Sequence, residues 1–466
     1  LKGYVLWGLH QPSITPPSAS TNWTAMGPLA GIRILDLCQY QNGPSAVSRL
    51  ADNGADVIKV EPPEGEGMRY VIAPGAHFGQ LEAFNRGKRS ITLDLKHKDA
   101  AAVMERLVKW ADVVAENFRP GIMDKLGFGY ERCKEWNPNL IYAANSGFGP
   151  VGDWALRPSY DSVAQGFSGS MNKQGGGQSY EPKEIHFAFS DEVGATNFCF
   201  SIVCALLARA NNGKAQKIET SQLGATLDFQ RHEFQNATYY GRVNKDQDHG
   251  HPPWGHYHMQ QKLRCADGKW ITLQLMKTGM FRRFCTQVIK RPDLMTDEAV
   301  KKWPVPSDEV CKWIAAESAK EAAKMPQQHW IDACLAADVP CAPINTYDDI
   351  ADHATSVGKH FLENGYVRHM QHREFGKMII VGQPTIFHGT PNNVSDESWH
   401  APELGEHAAE ILQDVLGFSL EETQRMQQGV AKPTGIIVSA TAKKIRAYIK
   451  QRYNRPQEDL APQAKL

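Results

Sequence analysis

The segment Phe187-Ala-Phe-Ser-Asp191 sets one carboxylate just ahead of a long apolar stretch, Val193 to Ala210. An acid in that position commonly caps a helix, where it meets free N–H groups and the positive end of the dipole. It can also serve as a nucleophile. A carboxylate attacks a thioester to give a mixed anhydride; the released thiolate returns to give an aspartyl thioester; an incoming acid runs the steps in reverse. Both intermediates hydrolyse readily, so the chemistry needs a dry site, and Phe187 and Phe189 suit one. Amide donors nearby would stabilise the developing oxyanion. Taken alone, these residues leave both readings of Asp191 open.

Other polar groups gather where strand patterns end. Gln41 follows the first such pattern, Asn85-Arg-Gly-Lys-Arg89 precedes the third, Glu116-Asn-Phe-Arg-Pro-Gly121 follows the fourth and Ser146-Gly-Phe-Gly149 the fifth. Arg86, Lys88, Arg89, Lys96, Arg119 and Lys125 could form a cationic rim for a phosphorylated ligand, or an ordinary solvated surface. His249, His251, His256 and His258 could ligate a metal, but the chemistry above needs none and Pro252-Pro253 stiffens the segment. We expect an active-site loop or aromatic surface there, and no metal site. No GxGxxG follows the first strand, so no dinucleotide is expected, and Gly175-Gly176-Gly177 lacks the Lys-Ser/Thr of a phosphate loop.

The elements that must position these groups read as alternating strands and helices. Strands are expected at Gly31–Leu37, Ala55–Val60, Ser90–Leu95, Ala111–Glu116, Leu140–Asn145 and Gln216–Thr220, with helices to Ala51, over Ala100–Trp110 and over Val193–Ala210. Short βαβ units of this kind imply a parallel, doubly wound α/β sheet. Residues 226–258 read as a polar, aromatic excursion. Strands at Lys269–Leu275 and Gly376–Gly382, with helix over Glu309–Leu335, suggest a second, smaller α+β domain. Ala401–Met426 reads as helix returning to the first domain, and the tail from Lys432 as a basic surface helix.

The composition fits that picture. In 466 residues, 42% hydrophobic and 22% charged side chains describe a globular chain. The 51 basic and 51 acidic residues cancel, so no bulk field attracts nucleic acid or an anionic membrane. The nine cysteines form no CxxC pair and read as free thiols. No uninterrupted apolar run of 18 residues suggests a membrane span.

A series of segments in order resembles the class III CoA-transferases, the CaiB/BaiF family that includes formyl-CoA and carnitine CoA-transferases. They are Leu35-Asp-Leu with Gly43-Pro44, Leu50-Ala-Asp-Asn-Gly-Ala-Asp-Val-Ile-Lys-Val-Glu61, Asn85 to Lys96, Ala111 to Gly121, Leu126-Gly-Phe-Gly-Tyr130, Asn137-Pro-Asn-Leu-Ile-Tyr142 with Ser146–Gly149, Tyr160-Asp161, Ser168-Gly169 and Gly213-Lys214 with Gln216. The likeness spans about 28–430. It implies a Rossmann-like large domain with a parallel sheet plus a smaller α+β domain, in an interlocked homodimer. The expected division is 1–27 extension, 28–225 CoA-binding large domain, 226–249 linker, 250–385 small domain, 386–435 return segment and 436–466 tail. The implied activity is CoA transfer between an acyl-CoA and a free carboxylic acid, with no tightly bound cofactor.

By position the resemblance makes Asp191 the catalytic carboxylate and Gln41 the amide beside the reacting group. Asn117 and Phe118 would line the CoA site, Leu93 and Lys96 the nucleotide end with Lys125 replacing an arginine, and Asp161 would lie beside the catalytic centre. Two departures argue against oxalate and formate as substrates. Asp248 to His258 lacks the family's glycine run, and Val71 stands where a tryptophan is usual. An α-methylacyl-CoA racemase would need a histidine at Tyr160, and a phenol with pKa near 10 is a poor base. A catalytically idle subunit is the third reading, with the terminal extensions meeting a partner. A soluble intracellular location is expected, cytoplasmic or mitochondrial, with Ala464-Lys465-Leu466 also resembling a peroxisomal address.

Overall fold

The computed structural model describes residues 27–71, 78–177, 180–239, 259–304, 306–391, 399–435 and the short stretches 443–445, 447–448 and 451. The histidine-rich segment and both chain ends lie outside them.

Six parallel strands form the central sheet: β1 Arg33–Asp36, β2 Asp56–Glu61, β3 Arg89–Thr92, β4 Val113–Glu116, β5 Ile141–Ser146 and β6 Lys217–Ser221. Their order is β3-β2-β1-β4-β5-β6, with every pairing parallel. The order reverses between β1 and β4, the place where open α/β sheets leave a crevice beyond the strand carboxyl ends. β1 to β4 are buried almost throughout, as continuous Val/Ile/Leu/Ala runs require when helices cover both faces.

One face packs under α3 (Ala100–Trp110), whose Val103, Met104, Leu107 and Val108 are buried. Ile411, Leu412, Phe418 and Met426 from the C-terminal part of the chain fill the same cluster. The other face is closed by α1 (Asn42–Asp52) and α8 (Phe189–Asn212), through Val47, Leu50, Ala195, Phe198 and Ile202. α8 is the one described helix long and apolar enough to cross a membrane, and one face of it, through Ala195, Phe198 and Ile202, packs into this core. Gly194 permits its approach: a Cβ there would sit 2.2 Å from Asn42 Nδ2.

A second core surrounds the antiparallel sheet β7 (Gln260–Arg264), β8 (Trp270–Gln274) and β9 (Cys341–Pro343), packed with Phe281, Phe284, Trp303 and Trp330. A two-stranded hairpin, β10 (Val367–His372) and β11 (Gly376–Val381), completes the strands.

Gly43-Pro44 lies inside the first turn of α1, where Pro needs no N–H partner. Three expectations need correction. The helical pattern over Glu309–Leu335 is two helices, Asp308–Ala322 and Gln327–Ala336, broken at Pro326. The pattern over Ala401–Met426 resolves into the short Ala408–Glu410, a wide turn Ile411–Val415, a left-handed Gly417 and the helix Leu420–Gln428. The last is started by a Ser419–Glu422 capping box. The polar stretch after 226 is also helical as far as Tyr239, through α9 (Gln222–Phe229) and α10 (Arg231–Tyr239).

Candidate active site at the carboxyl edge of the sheet

α8 runs antiparallel to the strands, so its N-terminus arrives at the edge where β1, β4, β5 and β6 end. It enters through Phe187 and Ala188, both left-handed at φ 72° and 49°. Two adjacent non-glycine residues in that region cost about 1–3 kcal/mol each and persist only where the surroundings fix them. Here Asp161, at the start of α6 (Asp161–Phe167), does so. Its Oδ1 accepts from Ser190 N at 2.6 Å and Asp191 N at 3.1 Å, and its Oδ2 accepts from Gln165 Nε2 at 2.7 Å. Asp161 therefore caps α8 from a neighbouring helix. The Asp191 side chain caps nothing and is left for another task.

That side chain is half-buried, and its Oδ1 accepts one hydrogen bond, from Gln222 Nε2 at 2.6 Å. Gln222 is itself buried at the β6–α9 junction, and its Oε1 accepts from Ser159 Oγ at 3.0 Å. Asp191 Oδ2 takes no hydrogen bond from the described residues. Burial, then the charges of Asp161 and Glu192, push the Asp191 carboxyl up to about 7, with the Gln222 bond pulling the other way.

Gln41, the residue before α1, reaches the neighbouring carboxylate. Its Nε2 donates to Glu192 Oε1 at 2.8 Å. Glu192 also pairs with Arg49 at 2.5 Å and accepts from Ser45. Gln41 thus steadies α8 one residue away from Asp191. Tyr40 and Tyr160 meet edge to face at 5.6 Å beside this group, and the hydrogen bond that the Tyr40 hydroxyl donates to Tyr160 raises the Tyr40 phenol.

The loop carrying Tyr40 and Gln41 is clamped from beneath. Asn117, at the end of β4, receives Gln39 N at 2.8 Å and donates to Gln39 O at 2.9 Å, tying the two lips of the crevice together. Fully buried Lys88 donates to Asp36, Pro44 O and Asn85, and fully buried Lys59 donates to Cys38 O. Asp36 in turn accepts from Cys38 N, and Glu66 from Tyr40 N. Burial would raise the Asp36 carboxyl, but Lys88 and Lys59 outweigh it and hold it below the usual range.

Of the six cations that could form a rim or an ordinary surface, three are committed elsewhere. Arg86 pairs with Asp52, Lys88 with Asp36, and Arg89 with Asp56 and Glu410. Lys96, Arg119 and Lys125 remain exposed beyond β3 and β4. Phe118 is partly exposed beside them, whereas the Leu93 side chain lies in the hydrophobic core and offers a ligand no surface. Among the described residues no group of three or more His, Cys, Asp or Glu could hold a metal ion, and all nine cysteines are free.

The residues that sequence reasoning did not single out are Gln222, Glu192, Arg49 and Ser159. Gln222 carried one available signal: it directly follows a strand pattern, at the edge where the other polar groups collect.

Comparison with known proteins agrees with this architecture. The model of CoA-transferase family III matches residues 29–408. The acetyl-CoA:oxalate CoA-transferase of Acetobacter aceti is 33% identical over 395 residues, 83% of this chain and 96% of the relative. The succinate–glutarate CoA-transferase of Agrobacterium fabrum is 33% identical over 402 residues, with 83% and 96% covered. A CaiB/BaiF family protein from Brucella suis superimposes with a TM-score of 0.70 at 30% identity, covering 84% of this chain and all of that one. The chain belongs to CoA-transferase family III.

Proposed function

We infer that the chain moves CoA from an acyl-CoA thioester to a free carboxylic acid, with Asp191 as the covalent carrier. The observation that supports this most is a carboxylate at the carboxyl edge of the sheet, one oxygen held and the other free, with no cation paired to it. Asp191 Oδ2 attacks the thioester carbonyl; the C–S bond breaks and CoA leaves as thiolate, giving a mixed anhydride. The thiolate adds to Cγ of Asp191, the donor acid departs as carboxylate, and an aspartyl-CoA thioester remains. An acceptor acid reverses the sequence and leaves as the new acyl-CoA.

In this reading CoA is a substrate, with no tightly bound cofactor. Its nucleotide end lies over Lys96 and Lys125, and its chain passes Asn117 and Phe118. The division into large and small domains at about 250 and 385 is part of this reading, and the separate core from Met259 to Val339 around β7–β9 supports a second unit within those bounds. A second copy of the chain covers the outer face of α8 and α9, where Phe200, Val203, Leu207, Leu227 and Phe229 are exposed. Sedimentation would report that dimer.

The test is a transfer assay read by mass spectrometry, pairing acyl-CoA donors with oxalate, succinate, glutarate, hydroxy acids and betaines. At least one pair should exchange CoA, and Asp191→Ala should abolish exchange while the protein keeps its assembly state. Transfer that survives in Asp191→Ala sinks the reading.

A further inference from the structure

We propose that Gln222 is a catalytic residue, whose side-chain N–H holds the negative charge that develops on Asp191 Oδ1 each time a nucleophile adds to Cγ of Asp191. The proposal rests on Asp191 as acyl carrier. It concerns an atom that the substrates leave in place: Oδ2 forms the anhydride bridge, so Oδ1 is the oxygen that becomes the oxyanion.

The balance of the step shows why. When CoA thiolate adds to the anhydride at Cγ, the S–C bond forms and the pair in the Cγ=Oδ1 double bond moves onto Oδ1. When the pair returns, the bond from Cγ to the bridging oxygen breaks, and the donor acid carries that oxygen away. When the acceptor carboxylate adds to the resulting thioester, Oδ1 is charged again, and the thiolate leaves. One turnover therefore puts charge on Oδ1 twice. A donor fixed at that oxygen stabilises both additions.

The geometry supplies such a donor. Gln222 Nε2 lies 2.6 Å from Oδ1. A side-chain amide could turn either end to Asp191, and the ionised carboxylate, which only accepts, selects Nε2; the Ser159 hydroxyl, donating to Oε1 at 3.0 Å, supports that orientation. Gly147 admits Ser159 to this place, since a Cβ there would sit 2.3 Å from Ser159 Cβ. Gln222 is only 5% exposed, so bulk water competes weakly for the bond. The donor is neutral, and Asp191 stays free of an ion pair that would blunt its nucleophilicity.

The variant to make is Gln222→Met, which keeps the volume and removes the donor. Steady-state transfer, with acid-quenched intact-mass analysis of the enzyme, gives three readings. kcat should fall about 10²–10³-fold, as when one oxyanion donor is lost elsewhere, with KM within about threefold. In a single turnover with acyl-CoA and no acceptor acid, the acyl-bearing adduct should persist longer before the CoA-bearing adduct appears, because thiolate addition to Cγ is slowed. The acidic limb of kcat/KM, near pH 7 in the parent, should move up, because the Gln222 bond favours the charged Asp191. If Gln222→Met does not fold, Ser159→Ala is used, which removes the hydrogen bond that steadies the amide at Oε1; a loss of about threefold to tenfold in kcat is expected. An unchanged kcat, or an unchanged rate of conversion of the acyl-bearing into the CoA-bearing adduct in the folded variant, overturns the proposal, while an inactive Asp191→Ala leaves the carrier reading standing. Transfer persisting in Asp191→Ala overturns both.

Discussion

Two groups of carboxylates lie within one sheet edge of each other and are treated in opposite ways. Beneath the β1–α1 loop, Asp36 is held by Lys88 and Lys59, and Glu61 forms a two-point pair with Arg69 at 2.7 Å to both oxygens. All of these side chains are fully buried, and burial is overcome by the partner charges so that both carboxyls sit below their usual range. At the head of α8, Asp191 has like charges for neighbours and an amide for its one partner, and its carboxyl is driven up to about 7. The first group holds backbone in place. In the proposed mechanism the second leaves a charge unsatisfied where a bond must form. The difference teaches that a carboxylate's partners, more than its burial, separate a structural acid from a reactive one.

The sharpest way to break the comparison is to make the structural group resemble the reactive one. Lys88→Met removes a cation that bonds Asp36, Pro44 O and Asn85 together, stranding a buried charge. Unfolding in urea should show a loss of about 3–5 kcal/mol. A change below about 1 kcal/mol would mean that the network contributes little to holding the loop.

Proton linkage sets the next largest effect. Asp191 must be ionised to attack, so kcat/KM should rise with pH through about 7 and level off above it, falling about tenfold per unit below. A profile flat between pH 5 and 8 would remove Asp191 from the rate equation.

A smaller effect appears in stability. A carboxyl raised on folding binds its proton more tightly folded than unfolded, so stability falls as pH rises from the usual value of 3.8 toward 7, and the cost is complete above that. Asp191→Asn should therefore stabilise the protein at pH 8 by about 1–2 kcal/mol, the partial solvation of the group keeping the gain modest. Near pH 4 the gain should vanish. Thermal unfolding at the two pH values measures it, and equal midpoints at pH 8 would contradict the stored cost.

The sheet was legible because its strands are short, β-branched and separated by helices with regular spacing, as at Val57-Ile58 and Val113-Val114. Helix breaks were less so: apolar spacing runs across Pro326 and Gly417 without showing where the backbone turns. The site was legible in one residue and opaque in its partners. Asp191 stands out before an apolar helix, but Gln222 is 31 residues away from it and Arg49 is 143 away from Glu192. Half of the candidate rim was opaque for the same reason, since Arg89 finds Glu410 across 321 residues. Local sequence shows that a charge exists; the fold alone shows where it is spent.

The most direct measurement is chemical capture of the carrier. The protein is turned over with an acyl-CoA in the presence of hydroxylamine, digested, and its peptides are mapped by mass spectrometry. The account predicts a hydroxamate on Asp191, formed only when acyl-CoA is present. A hydroxamate on another carboxylate, or none while transfer proceeds, would contradict it.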